Sequence, residues 1–76
     1  MGRWSSGWKR LQIIRVLESN GFVFNREGRK HSLFIHESDK TMPPISVPRH
    51  NNISPPTVEN ICRQSRIQKK IWKEAK

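Results

Sequence analysis

The apolar residues of this chain fall into short runs with two different periods, and the order of those runs constrains the fold. Trp8, Leu11, Ile13 or Ile14, and Leu17 recur at helical spacing with Lys9, Arg10 and Arg15 between them. That pattern predicts an amphipathic helix with a basic outer face, capped by Ser5 or Ser6 and stopped at Asn20-Gly21, where glycine supplies a left-handed turn. Residues 1–7 read as a loose lead-in. The pattern then changes to strand-like runs at Phe22 to Arg26, His31 to His36 and Pro44 to Pro48. They are separated by a turn around Gly28 and a polar connection at Glu37-Ser38-Asp39-Lys40. Prolines at both ends of the third run suit an edge strand. Helical spacing returns after Ser54, a good N-cap followed by Pro55. Val58, Ile61, Cys62 and Ser65 form the inner face of this second helix. From Gln68 to Lys76 the chain either extends that helix or forms a separate basic one, with Ile67, Ile71, Trp72 and Ala75 on a rough stripe.

The order helix, three strands, helix gives an α+β fold, α-β-β-β-α. A three-stranded antiparallel sheet would carry both helices on one face and leave the other face open. A chain of 76 residues supports one domain, 1–76, with a core at 8–67 and a basic tail or helix at 68–76. A core of this size is modest, so a functional site is expected on an open surface.

Fifteen Lys and Arg stand against six acidic residues, giving a net charge of +9. Such a surface attracts polyanions, and nucleic acid is the expected partner class. No apolar run approaches the length of a membrane span, so no membrane partner is expected. The single cysteine, Cys62, permits no internal disulfide and no Cys-based zinc site, which fits a reducing compartment, the cytoplasm. A helix-turn-helix DNA reader would need a second helix soon after the first, where strand patterns stand instead.

Three histidines carry the possible chemistry: His31, His36 and His50. Their spacing matches no zinc signature, the carboxylates are scattered, and neither a metal nor another cofactor is expected. Histidine alone can cut RNA, because the ribose 2′-hydroxyl is an internal nucleophile whose proton an imidazole can take. His31 follows Arg29-Lys30 at the start of the second strand. By residue type alone, an exposed surface histidine at a strand start is the reading that wins. His36, five residues on, points to the opposite face of the same strand. His50 follows Arg49 in a loop. Trp8 at helical spacing reads as core, and Trp4 and Trp72 near the termini could pack on each other or meet a partner.

Four segments resemble the HicA toxin family. Leu17-Glu18-Ser19-Asn20-Gly21-Phe22 is similar to the end of its first helix, and His31-Ser32-Leu33-Phe34-Ile35-His36 to its catalytic strand. Val47-Pro48-Arg49-His50 resembles its third strand and Pro-x-His turn, and Ser54 to Ile67 its last helix. The resemblance spans roughly residues 8–67, in order. It implies a fold of the double-stranded-RNA-binding-domain kind and an mRNA interferase, a metal-independent endoribonuclease with His31 as catalytic residue. Arg29, Lys30 and Arg49 would hold phosphates, with His50 assisting. The implied partners are mRNA as substrate, a HicB-type antitoxin covering the site, and operator DNA through the antitoxin complex alone. A non-catalytic RNA-binding module of the same fold is the alternative. The sequence departs from the family in two places. Arg29-Lys30 replaces the Gly-Ser before the histidine, and Arg66 replaces a glycine near the end of the last helix, which predicts a longer C-terminal helix.

Overall fold

The structure, a computed structural model, describes residues 7–75. Strand β1 (Trp8–Lys9) leads into helix α1 (Arg10–Ser19). Strands β2 (Phe22–Glu27), β3 (His31–His36) and β4 (Ile45–Pro48) follow, and then β5 (Asn52–Ile53), helix α2 (Pro55–Ser65) and helix α3 (Lys69–Ala75). β2, β3 and β4 form an antiparallel sheet in that order, with β4 at an edge as its prolines require. β1 and β5 pair separately, Trp8 opposite Ile53.

Both helices cover one face of the larger sheet. The buried side chains Phe22, Phe34, Ile45 and Val47 project from that face and meet Ile13, Val16 and Leu17 of α1 and Val58, Ile61 and Cys62 of α2. The architecture is the α+β arrangement expected from the pattern, consistent with the double-stranded-RNA-binding-domain-like fold.

The first helix starts later than its periodicity suggests. Trp8 belongs to β1, and Leu11 is 62 % exposed, so the inner stripe is Ile13, Val16 and Leu17. Pairing with Ile53 holds Trp8 in an extended conformation, and tertiary context overrides local spacing. Lys9 stands at the N-cap, its backbone N–H donating to the Gln12 side chain at 3.0 Å. The predicted caps Ser5 and Ser6, the lead-in up to residue 6, and Trp4 lie outside the described residues. At the other end Gly21 adopts φ +94°, and a Cβ there would meet His36 Nε2 at 2.7 Å. Both conformation and space therefore demand glycine.

α2 does not run on. It stops at Ser65, and Arg66 itself takes the left-handed conformation, φ 61°. The Ser65 hydroxyl donates to the Cys62 carbonyl at 2.8 Å and accepts the Ile67 N–H at 3.2 Å, fixing the turn without glycine. α3 is a separate helix lying against α1, and it places Trp72 in the core, edge-on to Trp8 with centroids 5.6 Å apart. Lys69 pairs with Glu59 at 3.0 Å and ties α3 to α2.

Candidate active site

The sheet register decides which side chains share a face. His31 lies opposite Pro48, Leu33 opposite Ser46, and Val23 opposite Ile35, all on the face away from the helices. Ser32 and Phe34 point inward and are buried. His31 is therefore an exposed residue at one end of the open face. His36 lies at the other end of β3 and on the helix side, its ring edge-on to Phe22 at 5.0 Å. Its Nδ1 accepts the backbone N–H groups of Ser38 and Asp39 at 3.3 and 2.9 Å. That pattern puts the ring proton on Nε2 and makes His36 the clasp of the β3–β4 connection. Asp39 anchors the same connection by accepting from the Thr41 hydroxyl and backbone N–H, and those bonds lower its carboxyl below the usual value.

The segment before His31 is a tight turn. Gly28 N–H donates to the His31 carbonyl at 2.7 Å, and Arg49 N–H donates to the Lys30 carbonyl at 3.2 Å. These bonds bring the β2–β3 turn beside the residues that follow β4. Arg29, Lys30, Arg49 and His50 consequently line one open depression at this end of the sheet. The four residues singled out in the sequence for phosphate contact thus lie together, although twenty positions separate the two pairs. His31 does not line the depression. It adjoins it, directly following Lys30 and paired with the residue before Arg49.

Three further residues support this end of the sheet from behind. Arg10 donates from Nη2 to Ser32 Oγ at 2.6 Å and from Nε to the Pro48 carbonyl at 3.0 Å. Ser32 Oγ donates in turn to the Glu27 carboxylate, 3.0–3.1 Å from its two oxygens. Glu27 Oε1 lies 3.4 Å from Arg49 Nη1, which also donates to the Gly28 carbonyl at 3.2 Å. Sequence pattern missed Arg10, Ser32 and Glu27. Glu27 reaches the inner face because β2 shifts register between Phe24 and Arg26. Without the extra residue Asn25, strict alternation would aim it outward.

Among the described residues no three His, Cys, Asp or Glu side chains gather to hold a metal ion, and no helix is long and apolar enough to cross a membrane. Cys62 lies away from the depression, in the core, where burial pushes its thiol up from the ordinary value.

The family model of the HicA toxin of bacterial toxin–antitoxin matches residues 11–67. The chain belongs to the HicA toxin family. The matched span runs from α1 to the residue after the left-handed turn of α2, and so includes β2 to β4, His31 and the depression. Membership makes the chain a toxin of a toxin–antitoxin pair, with an antitoxin as its partner class. The two departures from the HicA pattern are both accommodated. Lys30 and Arg29 line the depression, and Arg66 supplies the helix end that glycine would otherwise make. No curated protein and no solved structure matches the chain.

Proposed function

We propose that this HicA-family toxin is an endoribonuclease that cuts mRNA without a metal, with His31 as its general acid/base. The observation that carries the reading is the exposed His31 standing beside a depression lined by Arg29, Lys30, Arg49 and His50, within the family-matched span. An RNA backbone lying across the cationic side chains would bring a ribose near the imidazole. His31 takes the proton of the 2′-hydroxyl as its oxygen attacks the adjacent phosphorus. The P–O5′ bond breaks, and the departing 5′-oxygen takes a proton from water or from His50. Arg49, Lys30 and Arg29 stabilise the negative charge that grows on the non-bridging oxygens. The products are a 2′,3′-cyclic phosphate and a 5′-hydroxyl. The nucleophile belongs to the substrate, so the protein needs only to position groups, which an open surface on a small domain can do. The antitoxin is of the HicB type, covers this end of the sheet, and alone provides contact with operator DNA.

Product-end analysis tests the chemistry. Fragments should carry cyclic phosphate and 5′-hydroxyl ends, and a single 2′-deoxy substitution at a cut site should abolish cutting there. Fragments with 5′-phosphate ends, or cutting at a deoxy position, would refute in-line attack by the 2′-oxygen. An intact RNA that is nonetheless bound would leave a non-catalytic binding module.

A further inference from the structure

Glu27 stands among cations meant to meet a polyanion. Arg26 precedes it, Arg29 and Lys30 follow it, and its carboxylate lies 3.4 Å from Arg49. A carboxylate at the edge of a phosphate-binding depression repels the ligand, so affinity is not what it improves. Its surroundings are nevertheless built. The β2 bulge turns it inward, the fully buried Ser32 hydroxyl donates to it, and Arg10 donates to that hydroxyl. The hydroxyl's capacity is used in both directions, accepting from Arg10 and donating to Glu27. Arg10 also grips the carbonyl of Pro48, the residue opposite His31. The chain Arg10–Ser32–Glu27–Arg49 therefore runs from α1 through β3 and β2 to the loop after β4, and ends on a side chain of the depression.

We infer that Glu27 is a positioning residue, which fixes the Arg49 guanidinium for the transition state at the cost of some affinity for RNA. The inference rests on the ribonuclease reading. Carboxylate and guanidinium form an ion pair at 3.4 Å, which draws the Arg49 side chain toward Glu27. The Gly28 carbonyl supplies a second anchor at 3.2 Å, leaving the remaining guanidinium donors to face a phosphoryl group. An arginine fixed in advance loses less freedom when the transition state forms, whereas a free arginine binds phosphate anywhere along the backbone.

The test is the Glu27→Gln variant of the full chain, assayed for RNA binding and for cleavage. Gln keeps an acceptor for Ser32 but removes the charge that holds Arg49. Glu27 is half exposed, so the fold should survive and the melting temperature should stay near that of the wild type. Cleavage at saturating RNA should fall about tenfold while RNA binds as tightly or several-fold tighter, because one repulsion is gone. Ser32→Ala should give the same split, as Glu27 loses its donor. In an Arg49→Ala background Glu27→Gln should change kcat no further. Unchanged kcat overturns the inference. So does a joint fall of kcat, affinity and melting temperature, which marks a merely structural role, and so do additive effects in the double variant. An inactive wild type sinks the ribonuclease reading and this inference with it, whereas an active wild type indifferent to Glu27→Gln sinks the inference alone.

Discussion

Replacing Trp72 with alanine tests whether the C-terminal helix is an integral layer of the core. The side chain is fully buried and packs edge-on against Trp8, ring planes inclined at 70°. Truncating a buried aromatic to alanine costs about 3–5 kcal/mol, including about 0.5–1.5 kcal/mol from the ring pair itself. One feature works the other way. The indole Nε1 of Trp72 is buried without an acceptor among the described residues, and an unsatisfied buried donor costs about 1–3 kcal/mol that the substitution returns. Taken at the middle of both ranges, the net loss is about 2 kcal/mol. A chain of 76 residues has total stability of about 4–11 kcal/mol, so the variant should fold but sit near the edge. Urea unfolding followed by far-ultraviolet circular dichroism measures it. With a slope of about 1 kcal/mol per molar, the midpoint should drop by about 2 M. Trp72→Phe separates the two contributions. It keeps an aromatic edge against Trp8 and removes the stranded N–H, so it should stay within about 1 kcal/mol of wild type. A Trp72→Ala midpoint within experimental error of wild type would show that α3 is not docked. A Trp72→Phe loss as large as that of alanine would show that the indole N–H has a buried acceptor after all.

Arg66→Gly should stabilise the protein by about 0.5–1 kcal/mol in the same urea titration, since a left-handed conformation costs a side-chain-bearing residue more than glycine; a loss of stability would mean that the Arg66 side chain contributes more than its backbone strain costs. Cys62 should resist iodoacetamide at pH 8 until the protein unfolds, because burial raises its thiol above the ordinary 9.0. The sign follows from linkage. The folded state holds this proton more tightly, so its contribution is full below pH 9 and is lost as pH rises through the folded value. Rapid alkylation of the native protein at pH 8 would contradict the burial argument. Lys30→Ala should weaken single-stranded RNA binding and reduce the slope of log affinity against log salt by about 0.7, the loss of one phosphate contact; an unchanged slope would place the RNA elsewhere.

The sequence was most informative where each element has its own period. Both ends of β3, His31 and His36, are legible because alternation, a turn before it and a polar connection after it agree. The start of α2 was equally plain from Ser54-Pro55. Trp8 misled because helical spacing from Trp8 to Leu11 also fits a two-residue strand followed by a helix whose Leu11 faces solvent. Strands as short as β1 and β5 have no period to detect. At the site, Arg29, Lys30, Arg49 and His50 were legible by type and by neighbourhood to a histidine. Glu27 was not, because only the bulge at Asn25 turns it inward, and a bulge is a property of pairing between strands. Arg10 was hidden for a related reason: it reads as one more cation on a basic helix face until β3 and β4 are folded against it.

In the proposed mechanism His31 performs the chemistry on RNA. The most direct measurement incubates the protein with a long single-stranded RNA in EDTA beside the His31→Ala variant, with RNA binding of both measured at the same salt. His31 is exposed at a strand end, so alanine there should leave the fold intact. The wild type should cut the RNA in EDTA, His31→Ala should not, and both should bind it. Cleavage that survives in His31→Ala, or a wild type that binds RNA in EDTA without cutting it, would refute this role of His31.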